Sequence, residues 1–131
     1  MSDKQGLLGK HIVVVEDEPL IKTAVETILS DAGAIIARAF DQKLDGAILD
    51  VRLGNGISSM PIAIGLELRG IPFLFCTGYG DVVGPVIKRR WPRCTILSKP
   101  ISADALIDGI TSMWEPQMNR IAGRSTKFAI I

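Results

Sequence analysis

Apolar residues follow two different patterns along this chain. Short, mainly apolar runs cover residues 12–15, 34–39, 46–49, 73–76 and 95–98. Continuous runs of this length are typical of strands that helices cover on both faces, whereas half-exposed strands alternate apolar and polar residues. Between the runs, apolar residues recur at helical spacing. Strands that alternate with helices predict an α/β fold built on a parallel sheet.

Turn and cap residues predict where the helices begin and end. The first helix should open after Asp17, carry Pro19 in its first turn and end at Gly33. Proline is compatible with the first helical turn, and glycine favours the residue after the last turn. Three further helices are predicted over residues 58–68, 85–90 and 102–114, the last closed by Pro116.

The second and third strands are unusually close in sequence. Only residues 40–45 separate them, whereas a parallel crossover with its helix ordinarily needs at least about 10–12 residues. At roughly 3.3–3.6 Å per extended residue, this segment spans only about 20 Å. We therefore expect the second helix to be largely missing and the second strand to be poorly ordered, displaced or paired unusually.

Length and composition restrict the class of protein. A chain of 131 residues fits one domain that buries roughly 68% of its unfolded surface. A net charge of +1 creates no general field for nucleic acid or anionic lipid, so neither is expected as a partner. We expect a cytoplasmic protein, because no secretory leader pattern opens the chain and no apolar run approaches the roughly 20 residues of a membrane span. Cys76 and Cys94 lack metal-ligand spacing and should be reduced core residues.

Polar residues with related chemistry follow the apolar runs. Glu16 and Asp17 follow the first run, Asp50 the third, Thr77 the fourth and Lys99 the fifth. The carboxyl ends of parallel strands meet at one edge of the sheet, where ligands bind. Carboxylates, a hydroxyl and an ammonium group gathered there suit Mg²⁺ and a transferring phosphoryl group.

In this order, these residues resemble the receiver domain of bacterial two-component response regulators. The resemblance covers residues 10–116 and leaves 1–9 as a flexible lead-in and 117–131 as a tail of unknown role. It implies a doubly wound, flavodoxin-like sheet of five parallel strands in the order 2-1-3-4-5. The implied function is a stand-alone receiver that accepts a phosphoryl group from a histidine kinase or phosphotransfer protein and acts through protein contacts.

The resemblance also assigns roles to single residues. Asp50 would be the phosphoacceptor, by nucleophilic attack on the donor phosphorus. Asp17 and Asp50 would bind Mg²⁺ directly, Glu16 partly through water, and the backbone carbonyl of Arg52 would add an oxygen. Acidic capping of the first helix is also compatible with Glu16 and Asp17, and Glu18 is assigned to capping alone.

Four further residues would surround the phosphoryl group. Lys99 would contact its oxygens, oriented by a cis peptide bond to Pro100. The Thr77 hydroxyl would follow the phosphoryl group. Gly78 and Tyr79 would flank the pocket, and Tyr79 and Arg52 could slow hydrolysis of the aspartyl phosphate.

A narrower resemblance rests on residues 72–79, Pro-Phe-Leu-Phe-Cys-Thr-Gly-Tyr. They look like the signature of the FATGUY receivers, with Cys76 in place of alanine, and imply a histidine kinase of the HWE or a related class as partner. Ile96 stands where most receivers carry a switch aromatic, and Gly54 where most carry proline. Activation is therefore expected to reorganise the loop of residues 78–84.

Two other classes compete with the receiver. A pseudo-receiver would keep the fold as an interaction module without phosphorylation, and the short second crossover favours it. An aspartyl-phosphate hydrolase is disfavoured because residue 52 is arginine and no segment is long enough for a substrate cap, so we do not expect an enzyme.

Overall fold

The computed structural model describes residues 6–38, 40, 43–78 and 84–114, together with the backbone but not the side chain of residue 55. The strands are β1 (His11–Val15), β2 (Ile35–Ile36), β3 (Gly46–Asp50), β4 (Phe73–Thr77) and β5 (Ile96–Ser98). The helices are α1 (Pro19–Asp31), α2 (Met60–Leu68), α3 (Gly84–Arg90) and α4 (Ala103–Thr111), with single 3₁₀ turns at Gly54–Gly56 and Ser112–Trp114. The strands form one parallel sheet in the order β2-β1-β3-β4-β5, which confirms the expected fold.

Two apolar clusters cover the two faces of the sheet. On one face, α1 and α4 pack against β1, β3 and β4 through residues that include Leu29, Ile48 and Leu106. On the other face, α2 and α3 pack through residues that include Leu66 and Ile87. Alternate residues of each central strand enter opposite clusters, so these strands are buried on both sides. The continuous apolar runs in the sequence follow from this double burial.

The beginning of α1 has the cap that the sequence predicted. The Glu18 side chain accepts a hydrogen bond from the Leu20 N–H at 3.0 Å, and Pro19 occupies the first helical turn. Beyond the end of the helix, Gly33 has a φ of 101°, a conformation that glycine adopts at little cost. The capping role assigned to Glu18 is therefore confirmed.

The second strand is short but lies in its ordinary place. β2 pairs in parallel with β1, His11 opposite Ile35 and Ile12 opposite Ile36. The expectation that it would be displaced or paired unusually is therefore wrong. Two hydrogen bonds to β1, from the Ile35 N–H to Lys10 O and from the Ala37 N–H to Ile12 O, each 2.8 Å long, hold it in register.

The short connection to β3 covers the sheet with buried side chains where the fold would ordinarily have a helix. Its described residues, 37, 38, 40 and 43–45, contain no helix, as expected. Leu44 is only 8% exposed and packs with Val13 and Ala37 in the cluster under α2. Leu44 thereby covers part of the apolar surface of β1. Residues 39, 41 and 42 lie outside the described part of the chain.

The predicted lead-in is packed where the structure describes it. Leu7 is fully buried in the cluster beneath α1 and α4, and the Gly9 N–H donates to Gly33 O at 2.9 Å. The prediction of a loose segment is wrong for residues 6–9, because an apolar side chain anchors them to the core. Residues 1–5, the tail 117–131 and Pro116 lie outside the described residues.

Asp45 joins three segments at the amino edge of the sheet. Its carboxylate accepts the His11 N–H at 2.8 Å, its own N–H donates to His11 O at 2.7 Å, and its carbonyl accepts Trp114 Nε1–H at 2.8 Å. The hydrogen bond from the His11 backbone holds the pKa of Asp45 below its ordinary value. His11 is half-buried beside Asp45.

We expect Asp45→Ala to lower the free energy of unfolding by about 1.5–3 kcal/mol, as for other hydrogen bonds to charged groups. Because the folded-state pKa is lowered, this stabilisation is present above the pKa of the unfolded chain and is lost as pH falls through the folded value. Urea unfolding at pH 7 and at pH 3 measures both effects. Asp31→Ala, which removes an exposed carboxylate at the end of α1, is the control. An equal loss of stability at both pH values would contradict the role of the carboxylate.

The basic last turn of α3 is followed by an aromatic residue that packs into the core. Trp91 is 8% exposed and packs edge-on against Phe73 at a ring distance of 5.4 Å. Arg90 lies over the Trp91 ring and forms an ion pair with Glu67 at 2.6 Å. Trp91 is thus a core residue.

Within the described residues, no helix combines the length and hydropathy needed to cross a membrane.

Candidate functional site

The ends of four strands bring the predicted polar residues to one edge. Asp50 lies opposite Cys76 in the register of β3 and β4, and Thr77 lies opposite Ser98 in that of β4 and β5. The Lys99 N–H donates to Thr77 O at 2.8 Å, which extends the pairing past the end of β5. Since parallel strands share one carboxyl edge, residues from distant parts of the sequence meet there.

Lys99 forms ion pairs with two carboxylates at this edge. Its Nζ lies 2.8 Å from Glu16 Oε1 and 3.2 Å from Asp50 Oδ2. The side chains of Glu16 and Asp50 are 5% and 9% exposed, and that of Lys99 is 19% exposed. Lys99 therefore lies in the pocket with protein carboxylates as its partners, and its contact to phosphoryl oxygens stays a prediction.

Glu16 is held at both of its oxygens. Oε1 accepts from Lys99, and Oε2 accepts the Glu18 N–H at 3.0 Å. Glu16 thus connects the beginning of α1 to the lysine after β5. The sequence indicated Glu16 as a metal ligand and gave no sign of this link, because the two residues are 83 positions apart.

The charged side chains of the pocket shift one another's pKa values. Burial raises the pKa of Asp50, the Glu16 carboxylate raises it further, and the hydrogen bond from Lys99 opposes both. Burial alone would lower the pKa of Lys99, but its hydrogen bonds to Glu16 and Asp50 outweigh burial, and the net shift is upward. The ammonium therefore stays charged and helps to keep the buried Asp50 carboxylate ionised.

The three carboxylates can reach one cation together. One oxygen each from Glu16, Asp17 and Asp50 lies within 4.8 Å of the other two. Three carboxylates and the Lys99 ammonium leave two negative charges, which a divalent cation would neutralise. Because both Glu16 oxygens already accept hydrogen bonds, Asp17 and Asp50 are the side chains best placed to bind an ion directly.

The structure describes some of the remaining predicted residues and not others. Thr77 is 8% exposed at the end of β4, and the peptide bond between Lys99 and Pro100 is cis, as expected. Gly78 and Arg52 are exposed beside the edge, and the metal contact of the Arg52 carbonyl stays a prediction. Tyr79 and residues 80–83 of the loop expected to reorganise on activation lie outside the described residues.

Both cysteines are free thiols, which agrees with the expectation of reduced core residues. Burial raises the pKa of Cys76 to about 12 and that of Cys94 to about 11. Cys76 lies opposite the Asp50 position, but a thiol with so high a pKa is protonated at neutral pH and is a poor nucleophile. Of Asp50 and Cys76, the Asp50 carboxylate is therefore the candidate nucleophile.

Comparison with known proteins identifies the family. The chain is 31% identical to SdrG from Sphingomonas melonis Fr1, over 82% of this chain and 97% of that one, with a TM-score of 0.63. A response regulator receiver protein from Sinorhizobium medicae shares the fold at 19% identity and a TM-score of 0.68, over 80% of this chain and 94% of that one. No protein-family model matches the sequence.

A third relative is much longer. The C4-dicarboxylate transport transcriptional regulatory protein DctD of Pseudomonas aeruginosa is 27% identical over 92% of this chain, which spans only 28% of that protein. The sheet order and the acidic pocket with its lysine define a receiver fold, and the relatives agree with it. The chain belongs to the response regulator receiver domains.

Proposed function

We propose that this receiver accepts a phosphoryl group on Asp50 and signals through protein contacts that depend on it. The observation that carries the proposal is the Asp50 carboxylate itself, 9% exposed, with Lys99 Nζ 3.2 Å from Oδ2 and two further carboxylates alongside. A buried carboxylate surrounded by like charges is costly to maintain. Asp50 lies at the carboxyl edge of the sheet, where ligands bind, so a reactive role of the carboxylate would account for this cost.

The transfer breaks one bond and forms one. A carboxylate oxygen of Asp50 attacks the phosphorus of a donor phosphohistidine, the P–N bond breaks, and the imidazole leaves with the electron pair and takes up a proton. The Lys99 ammonium, already within hydrogen-bonding distance of Asp50, stabilises negative charge on the phosphoryl oxygens. The Thr77 hydroxyl at the end of β4 is the second proposed contact to the bound phosphoryl group.

The acidic cluster supports Mg²⁺ as the cofactor. Mg²⁺ prefers a few carboxylate oxygens together with waters, and Asp17 and Asp50 supply the direct contacts in this proposal, with Glu16 acting partly through water and the Arg52 carbonyl as a further oxygen. When bound, the ion would neutralise charge on the phosphoryl group and on the carboxylates.

The proposed partner is a histidine kinase of the HWE or a related class, or a phosphotransfer protein, in the cytoplasm. Support for this class comes from the segment 72–79, whose resemblance to the FATGUY receivers includes Phe75, Thr77 and Tyr79. Ile96, at the position of the usual switch aromatic, fits the same subfamily. Incubation with purified kinases of this class and of other classes would test the preference.

The direct test of phosphorylation is intact mass after incubation with acetyl phosphate and Mg²⁺. We expect a gain corresponding to one phosphoryl group, which disappears when Mg²⁺ is replaced by EDTA. A chain that folds and binds Mg²⁺ but gains no mass, from acetyl phosphate or from any phosphorylated kinase, would instead be a pseudo-receiver that acts by contacts alone.

A further inference from the structure

We propose that the outward face of α2 binds the same face of a second copy of this chain, with the two helices side by side and parallel. This α2 face consists of four exposed residues, Pro61, Ile64, Gly65 and Leu68. Positions i, i+3, i+4 and i+7 lie on one side of an α-helix. The face contains none of the pocket residues, so its role does not depend on the proposed phosphorylation.

The α2 helix is apolar on its inner and its outer side. On the inner side, Ala63 and Leu66 are buried in the cluster that covers the sheet. On the outer side, Ile64 and Leu68 are 41% and 83% exposed. A helix that is hydrophobic all round is ordinarily buried all round. The outer side of α2 therefore has the composition of a contact surface.

The other described helices present polar side chains to solvent instead. Their exposed residues include Thr23 and Thr27 on α1, Lys88 on α3, and Asp104 and Asp108 on α4. A single exposed apolar residue is ordinary on a protein surface, whereas a contiguous apolar patch marks a site of interaction. By this criterion α2 is the described helix with an unpartnered face.

The charges beside the α2 face favour a second copy as its occupant. Glu67 lies on the side of α3, where it pairs with Arg90 at 2.6 Å. Arg69, directly after the helix, lies on the other side, where its guanidinium donates to Phe40 O. When two parallel helices meet about a two-fold axis, Glu67 of each copy comes beside Arg69 of the other. The face is thus complementary to itself in charge as well as in apolar character.

A glycine lies in the middle of the α2 face. A Cβ added to Gly65 would meet no atom of the described chain within 4 Å, so packing inside one copy does not require glycine there. Glycine is also less favourable than alanine inside a helix. The distance between two packed helices depends on the side chains at their contact. Gly65 therefore allows a second helix to approach closely.

The expected dimer is weak and reversible. Stable interfaces bury roughly 800 Å² on each partner, and one face of a helix of nine residues covers less. The net charge of +1 hardly opposes association of two copies. A two-fold pairing uses the face of both copies completely, so assembly stops at the dimer.

The experiment compares the parent protein with Leu68→Glu and Leu20→Glu. Leu20 is 80% exposed, and its helix α1 packs on the opposite face of the sheet, so Leu20→Glu is the matched control for adding a carboxylate at an exposed leucine. Sedimentation equilibrium of the full, metal-free chain at micromolar to millimolar concentrations measures the dissociation constant. Thermal unfolding checks that each variant folds.

We expect one monomer–dimer equilibrium for the parent protein. Leu68→Glu should raise the dissociation constant at least about ten-fold, because the two-fold pairing buries the new carboxylate in both copies. Leu20→Glu should associate as the parent does. A parent protein that stays monomeric at every concentration, or equal dissociation constants for the two variants, would overturn the proposal.

A charge exchange tests the parallel pairing itself. Glu67→Lys and Arg69→Glu should each weaken the dimer, because each places like charges beside one another across the two-fold axis. The double variant restores opposite charges and should recover most of the parent affinity. Losses that simply add in the double variant would refute the pairing.

Other occupants of the α2 face give different results. If residues 115–131 of the same chain covered it, amide exchange would show α2 protected at every concentration while the mass stayed that of a monomer. If a different protein were the partner, the parent would stay monomeric and the α2 amides would exchange freely. Both results contradict binding of a second copy.

Discussion

Asp50→Asn should abolish the phosphate-sized gain in mass when the protein is incubated with acetyl phosphate and Mg²⁺. An amide has nearly the shape of a carboxylate but lacks the nucleophilic oxygen that attacks phosphorus. The fold should survive, because burial raises the pKa of Asp50 and an uncharged side chain is cheaper to bury there. Intact mass and thermal unfolding of the same sample measure the two expectations together.

Asp31→Asn is the matched control for this substitution. Asp31 is exposed at the end of α1 and is not one of the predicted pocket residues. Its variant should therefore be phosphorylated as the parent is. A phosphate-sized gain in the Asp50→Asn protein would show that another side chain is the acceptor. Loss of labelling together with a much lower unfolding temperature would instead point to a structural defect.

Lys99→Met should slow phosphorylation by roughly 10- to 100-fold. A hydrogen bond from a charged donor contributes about 1.5–3 kcal/mol, and each 1.36 kcal/mol corresponds to a factor of about ten in rate. Methionine retains the length of the apolar stem and removes only the ammonium. Time courses of intact mass, at saturating acetyl phosphate and Mg²⁺, measure the rate.

The same substitution should destabilise the metal-free protein. Removing Lys99 leaves Glu16 and Asp50, 5% and 9% exposed, without their shared cation. Removing one partner of a fully buried pair costs about 3–5 kcal/mol. Because Lys99 is itself 19% exposed, we expect about 1–3 kcal/mol at pH 7, with part of the loss restored by added Mg²⁺.

Lys22→Met is the control for the loss of one positive charge outside the pocket. Lys22 pairs with Glu26 one turn along α1, with 37% of its side chain exposed, and such surface pairs contribute about 0.3–0.5 kcal/mol. If Lys99→Met were no more destabilising than Lys22→Met, the ion pairs of Lys99 would be unimportant for the fold. An unchanged phosphorylation rate would remove Lys99 from the mechanism.

The sheet and the identity of the pocket residues could be predicted from local patterns. Continuous apolar runs indicate burial on both faces, and four of the five runs are followed at once by a polar residue of the carboxyl edge. Asp50 and Lys99 could be found in this way because parallel strands have only one carboxyl edge. The resemblance to receivers added the strand order, which the runs by themselves do not contain.

Only part of the connection between β2 and β3 could be predicted from the sequence. Counting residues correctly indicated that a helix would not fit between β2 and β3. The count could not show that two residues of β2 suffice for parallel pairing, or that Leu44 covers the surface of β1. Both depend on packing against segments distant in sequence. For the same reason, the burial of Leu7 in a stretch that reads as polar was missed.

The sequence alone determined which chemical groups this receiver carries and at which edge of the sheet they lie, because side-chain type and the position of each polar residue after its strand are local features of the sequence. Only the tertiary structure decided how the groups are paired. The bonds from Lys99 to Glu16 and to Asp50 join residues distant in sequence. Their distances depend on how helices and loops pack onto the sheet, and no periodicity or spacing along one chain records that packing.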